Sequence, residues 1–199
     1  MTFTIDARAV QAAGLTLVGE PVAIDLVNTE KLATNPPVEL LPDDEANRAF
    51  WALQAGRLQI PSELPSLERV RSLRSAIRSL LESRLSKLPA EPSAIHSLNS
   101  FASAAPASPQ LNGDWTAGAD WQAPDGATAL LGAVARSAID ALTGPGADRL
   151  HRCAADDCSM IFVATNAKRQ WCTAAGCGNR QRVARHASRQ RQAAALATA

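Results

Sequence analysis

After Asp157 the chain carries no Asp or Glu, and before Arg152 it carries no cysteine. It also lacks any apolar run approaching the ~20 residues a membrane-spanning helix needs. The opening residues, MTFTIDARAV, have neither the basic n-region nor the apolar h-region of a secretory leader. A cytoplasmic protein is therefore expected, in a compartment where disulfides are rare. Histidine is scarce too. His96 is the only one before Gly146, and no second histidine or carboxylate stands at ligand spacing from it. No nucleophile–base motif stands out. These absences argue against a disulfide scaffold, a membrane protein and an enzyme.

What is present is concentrated in one stretch, RCAADDCSMIFVATNAKRQWCTAAGCGNRQRVARHASRQR, from Arg152 to Arg191. All four cysteines lie in it, as C-x4-C-x13-C-x4-C: Cys153, Cys158, Cys172 and Cys177. Zinc favours a tetrahedron of four ligands and takes thiolates at ~2.3 Å. Two short turns, each bringing two sulfurs to one point, supply that set with no cysteine left over. Two disulfides are the rival reading, and they need an oxidising compartment. Iron–sulfur clusters also use four thiolates, but these spacings match neither ferredoxin pattern. One Zn2+ per chain is the expectation. Four cysteines close its coordination sphere, whereas catalytic zinc keeps a position open.

Trp171-Cys172 and Cys177-Gly178-Asn179-Arg180, with Arg152-Cys153, Cys158 and Phe162 around them, resemble the CGNR zinc finger. That family joins the finger to an N-terminal ABATE domain associated with stress-induced transcription regulation. The segment Leu26-Val27-Asn28-Thr29, preceded by Asp25, is similar to the opening of that domain, with Leu26 where phenylalanine is usual. Ala164 stands where relatives carry an acid two places after the phenylalanine. The resemblance implies a zinc-binding DNA regulator and covers nearly the whole chain.

Charge is divided unevenly. Residues 1–167 hold thirteen Lys or Arg against nineteen Asp or Glu, a net of −6, while the rest carries +7. A basic tail on an acidic body suits a polyanionic partner at the tail. After Cys177 the chain reads as a helix. At 100° per residue, Arg182, Arg185, His186 and Arg189 fall on one side, with Val183, Ala187 and Ala194 on another. Lys168, Arg169, Arg182, Arg185 and Arg189 are the candidates for backbone phosphates. A basic stripe can equally be a solvated helix face, or a counter-charge to the thiolates. Asn179 and Arg180 are expected close to the zinc turn, as supports for the ligands.

Before the finger the pattern is mainly helical. Met1–Gly14 reads as an edge strand or loose arm, and Leu15–Val18 as a short strand. Pro21 suits a helix start. In the segment that follows, Asp25 and Asn28 are either ligand-sensing groups or polar groups satisfying buried backbone. Lys31–Pro42 and Ile60–Pro65 read as loops. Asp43-Asp44-Glu45 opens one helix, ended by Gly56, and Ser66 caps another. Arg71, Arg74, Arg78 and Arg84 of the second are expected on a solvated face. Ser93–Ala104 and the nearly uncharged Ala127–Leu142 read as further helices, the latter central to the core. Asn112-Gly113-Asp114 with Trp115 and Trp121 marks a β-hairpin whose tryptophans pack it on the helices.

The expected architecture is a mainly α protein with a small β-element. A helical ABATE-like regulatory or dimerisation part spans 1–145, and a four-cysteine zinc module with a terminal basic helix spans 146–199. Zinc-dependent DNA binding in transcription control is the expected function, with RNA the other nucleic acid to consider. The N-terminal part would sense a small-molecule effector, form a homodimer, or both. The alternative is a structural or protein-interaction zinc module with no nucleic-acid role.

Overall fold

The computed structural model describes residues 6–58 and 63–197, with side chains through Gln192. Helix α1 (Ala7–Ala12) starts at Asp6, whose carboxylate accepts the Arg8 N–H at 2.9 Å. Residues 7–12 were expected as a strand or loose arm, and the Asp6 cap on an alanine-rich run explains the helix instead. Leu15–Val18 forms no strand, for want of a neighbouring strand to pair with. Its apolar residues are nevertheless used: Leu15 and Leu17 are buried.

Helix α2 (Val22–Val27) follows Pro21, and every one of its residues is buried. A two-residue pairing of β1 (Glu30–Lys31) with β2 (Val38–Glu39) overlaps the expected loop, with Glu30 just before it. Helix α3 (Asp44–Leu58) continues past Gly56, because one glycine weakens a helix without ending it. Of the loop expected at Ile60–Pro65, residues 63–65 are irregular and residues 60–62 lie outside the described residues. Trp51 lies in the core, its indole N–H donating to Asn47 at 2.9 Å and its ring edge-on to Phe50. Asn47 in turn donates to the Pro65 carbonyl at 2.9 Å, which anchors the chain before the next helix.

Helix α4 (Leu67–Leu85) is capped by Ser66, as its sequence predicts. Of the four arginines expected on a solvated face, Arg84 is exposed and Arg71 partly so, but Arg74 and Arg78 are not. The Arg74 side chain is 3% exposed and the Arg78 side chain 12%. Arg74 pairs with Glu39 and Glu30 and donates to the Thr29 hydroxyl at 2.8 Å. Arg78 pairs with Glu30 at 2.9 Å and donates to the Val27 carbonyl. The cause is the β1–β2 ribbon, which lays two carboxylates over α4 from about forty residues upstream. Burial by itself would raise the Glu39 carboxyl. Hydrogen bonds from Arg74 and the Leu41 N–H outweigh it and hold the group below the usual range.

Helix α5 (Pro92–Ser103) precedes the ribbon of β3 (Ala107–Leu111) and β4 (Ala117–Trp121), paired antiparallel from Ala107–Trp121 to Leu111–Ala117. The hairpin is as expected, and its first strand begins at Ala107, ahead of the turn residues. Trp115 does not pack it on the helices. The residue sits at the hairpin tip with φ +63° and is 86% exposed. Helix α6 (Gly126–Thr143), capped by Asp125, is the central element. Eleven of its residues are buried, and it packs on α2, α4 and α5. Its small residues allow that close approach on several sides.

The finger joins this body directly. After a 3₁₀ turn at Ala147–Arg149, β5 (Leu150–Arg152) pairs antiparallel with β6 (Ile161–Val163). Side chains of a strand alternate between faces. Leu150, Ile161 and Val163 accordingly complete the helical core, whereas Phe162 joins Cys153, Met160 and Cys172 in a second cluster around the sulfurs. One short ribbon thus belongs to both cores. A π-helical turn (Ala174–Gly178) leads into α7 (Asn179–Ala197). The chain is mainly helical, with three two-stranded ribbons among the described residues.

Candidate metal centre

The two cysteine turns are built differently. In the first, the Cys153 N–H donates to Met160 O at 2.9 Å and the Cys158 N–H to Ala155 O at 3.0 Å. The β5–β6 pairing thus fixes where that turn begins and ends. In the second, the Thr173 hydroxyl accepts the Gly176 N–H at 3.0 Å, and the Thr173 carbonyl accepts the Gly178 N–H at 3.0 Å. Space demands glycine at Gly176 and leaves little room for a side chain at Gly178. A Cβ on Gly176 would come within 2.5 Å of the Thr173 hydroxyl, and one on Gly178 within 3.1 Å of the Trp171 ring.

These turns bring all four sulfurs within 4.8 Å of one another. Cys158 and Cys172 are 3.9 Å apart at sulfur, and Cys172 and Cys177 are 3.5 Å apart. Thiolates at ~2.3 Å from one zinc stand about 3.8 Å from each other in a tetrahedron. A disulfide needs ~2.05 Å, and all four cysteines are free. The donor set therefore fits zinc. As bare thiols the four sulfurs crowd one another. Cys158 is lowered to about 5, first by the hydrogen bond it accepts from Cys172. Cys172, the donor in that bond, is pushed far above the usual thiol range. Cys177 is pushed up to about 11 by burial. The protein alone accommodates one thiolate readily, and a dication is what permits the others to lose their protons.

Around the sulfurs, Arg180 Nη2 lies 3.3 Å from Cys177 Sγ and 2.8 Å from Asp157. The basic residue of the Cys-Gly-Asn-Arg run is therefore close to the cluster, joined to an acid on the opposite turn. Asn179 is placed otherwise than expected. It is exposed, and its side chain makes no hydrogen bond among the described residues. The helix leaves the turn at this residue and carries the amide outward.

Arg169 is the main correction among the residues expected to meet phosphate. Its guanidinium donates to the carbonyls of Val163, Trp171 and Cys172 at 3.0, 3.2 and 2.7 Å, and to Glu20 Oε1 at 2.8 Å. It also lies 4.3 Å above the centre of the Phe162 ring. This arginine turns inward and ties the second cysteine turn to β6 and to Glu20. Lys168 beside it is exposed. Arg182, Arg185 and Arg189 are exposed along α7, where they border a shallow concavity with Ser188. No side chain of α7 through Gln192 is buried, and Val183 is 60% exposed. The apolar side expected at Val183 and Ala187 thus packs on nothing here, and the side chain of Ala194 lies outside the described residues.

Asp25 and Asn28 sit on the other side of the β6 ribbon. Asn28 Nδ2 donates to Ile161 O at 2.8 Å and its Oδ1 accepts the Ile161 N–H at 2.9 Å. Asp25 pairs with Arg57 at 2.7 Å and accepts the Glu20 N–H. Burial raises its carboxyl to about 6, against the opposing pull of Arg57. Glu20, which the sequence did not single out, accepts the Val163 N–H at 2.9 Å as well as Arg169. Nothing local marks it, since its partners lie more than 140 residues away.

Among the described residues, no helix is long and apolar enough to cross a membrane. No curated protein matches the chain. A family model for ABATE, described as "Putative stress-induced transcription regulator", matches residues 20–145, and one for the CGNR zinc finger matches residues 149–190. Neither description is that of an enzyme. The chain belongs to the ABATE family and carries, after that domain, a CGNR zinc finger whose four cysteines are positioned to hold a zinc ion.

Proposed function

We propose that this protein is a cytoplasmic, zinc-dependent regulator of transcription that binds duplex DNA through α7. The observation that carries this reading is the state of that helix. It has nineteen residues, no acidic side chain, and no buried side chain through Gln192. A helix so little packed does not fold for its own core; its anchor is the zinc turn from which it starts. Its free circumference and its arginines match what the major groove of B-form DNA admits. Double-stranded RNA has a deep, narrow major groove that does not admit a helix, which favours DNA.

Arg182, Arg185, Arg189 and Lys168 would meet phosphates. Zinc, when bound, supplies positive charge that holds four thiolates together and so fixes the direction of α7. No catalytic step is assigned to the site, because a metal with four protein thiolates has no position left for substrate. The body before the finger would sense an effector or dimerise, and its contacts at Glu20 and Asn28 would carry that state to the finger.

Fluorescence anisotropy with the zinc-loaded full chain and a random duplex, at a series of salt concentrations, tests this. Four phosphate contacts give a log–log slope of about −3.6, from roughly −0.9 per phosphate. No binding to any duplex at low salt would overturn it. Exposed Val183 favours one other reading, a protein-docking helix, in which Val183→Ser abolishes partner binding and the arginines matter little.

A further inference from the structure

A cleft of about 1360 Å³ lies between the β3–β4 ribbon and helix α6, and Glu20 and Arg57 are among its lining residues. Small-ligand pockets commonly measure roughly 300–1,000 Å³, so this one has room for an occupant with a bulky side chain. Its wall is mixed. Val22, Leu58, Trp121 and Ala133 supply apolar surface from four different elements. Two opposite charges on α6, Arg136 and Asp140, line the same cleft.

Arg136 and Asp140 are one helical turn apart, yet they form no ion pair, and neither has an ionic partner among the described residues. Their order along the helix, cation before anion, is the weaker arrangement for an i,i+4 pair. Other charges at the cleft are already satisfied: the Glu20 carboxylate by Arg169 and the Val163 N–H, and Arg57 in its pair with Asp25. What α6 leaves without an ionic partner at this wall is therefore one guanidinium and one carboxylate, beside apolar side chains.

We propose that this cleft is a binding site for a zwitterion of the amino-acid type with a large apolar side chain. Its carboxylate would meet Arg136, its ammonium Asp140, and its side chain the apolar wall at Trp121 and Val22. A plain carboxylic acid would leave Asp140 unmatched, and a plain amine would leave Arg136 unmatched. The proposal deepens the reading of the helical body as a sensor. Glu20 lines the same cleft and also holds the finger through Arg169 and Val163, so the cleft shares a residue on which the finger hangs.

Isothermal titration calorimetry on the zinc-loaded full chain, without DNA, tests the site separately from any DNA binding. The probes are phenylalanine and leucine, with 3-phenylpropionate and phenethylamine as the two half-ligands. Phenylalanine is expected to bind about 10-fold more tightly than either half, the effect of one charge-assisted hydrogen bond. Arg136→Ala should erase its advantage over phenethylamine, and Asp140→Asn its advantage over 3-phenylpropionate. Both positions are exposed, so the variants fold. No saturable heat from phenylalanine or leucine up to their solubility overturns the proposal. So do half-ligands that bind as tightly as phenylalanine, or variants that bind it unchanged. If the site is confirmed while the protein ignores DNA, the DNA reading fails alone.

Discussion

The side-chain amide of Asn28 grips the peptide of Ile161 from both sides, giving one hydrogen bond at 2.8 Å and taking one at 2.9 Å, across 133 residues of sequence. It does for β6 what a third strand would do, and all of this is buried. Asn28→Ala removes both partners at once and leaves a peptide N–H and C=O unsatisfied. The expected cost is about 2–4 kcal/mol, from roughly 1–3 kcal/mol per orphaned group with partial rescue by water. Chemical denaturation of the zinc-loaded protein measures it. A change under 1 kcal/mol would show that the clasp is dispensable.

Cys172→Ser should reduce the metal content from one zinc per chain to none. Elemental analysis of freshly purified, reduced protein is the check, and wild-type protein without zinc would refute the metal assignment. Hydrogen exchange should show protection lost from Cys153 through α7 and kept in α4 and α6. Weakening should also reach α2, because β6 shares the helical core through Ile161 and Val163.

Two arginines sixteen positions apart should behave in opposite ways. Arg185→Ala is expected to leave stability within about 0.5 kcal/mol of wild type, as for an exposed site, and to flatten the salt slope of DNA binding by about 1. Arg169→Ala should lower stability and speed zinc release to a chelator, since four of its acceptors lie on the finger and on Glu20. Chelator kinetics and anisotropy on both variants separate the roles. A pure salt-slope effect from Arg169→Ala would contradict the inward placement.

Asp25 should titrate near pH 6 rather than near 3.8, because burial penalises its charged form more than Arg57 favours it. The sign follows from linkage. The folded chain takes up this proton at a higher pH than the unfolded one, so the group's contribution to stability is full below about pH 4 and is lost as pH rises through 6. A shift from 3.8 to about 6 corresponds to about 3 kcal/mol in order of magnitude. Carboxyl carbon NMR reads the midpoint directly. The stability difference between wild type and Asp25→Asn, followed over pH 4–7, cancels the zinc site's own response; a flat difference would refute the shift.

The sequence by itself determined what depends on near neighbours. The C-x4-C-x13-C-x4-C pattern placed the metal centre, because each turn of six residues fixes two sulfurs locally. Ser66, the apolar spacing of α4 and α6, and Asn112-Gly113-Asp114 placed helices and hairpin, since caps and turns act over three or four residues. Only the tertiary structure decided which charges are used and which are free. Arg169 and Arg185 are alike in sequence, yet one is saturated by Glu20 and three carbonyls while the other stands in solvent. Arg74 and Arg78 read as a solvated face until the β1–β2 ribbon brought carboxylates onto them. Trp115 reads as a packing residue, and the hairpin instead holds it out at the tip. A charge or an aromatic ring acquires its role from whatever long-range contact desolvates it, and periodicity over a few residues carries no record of a partner more than a hundred residues away.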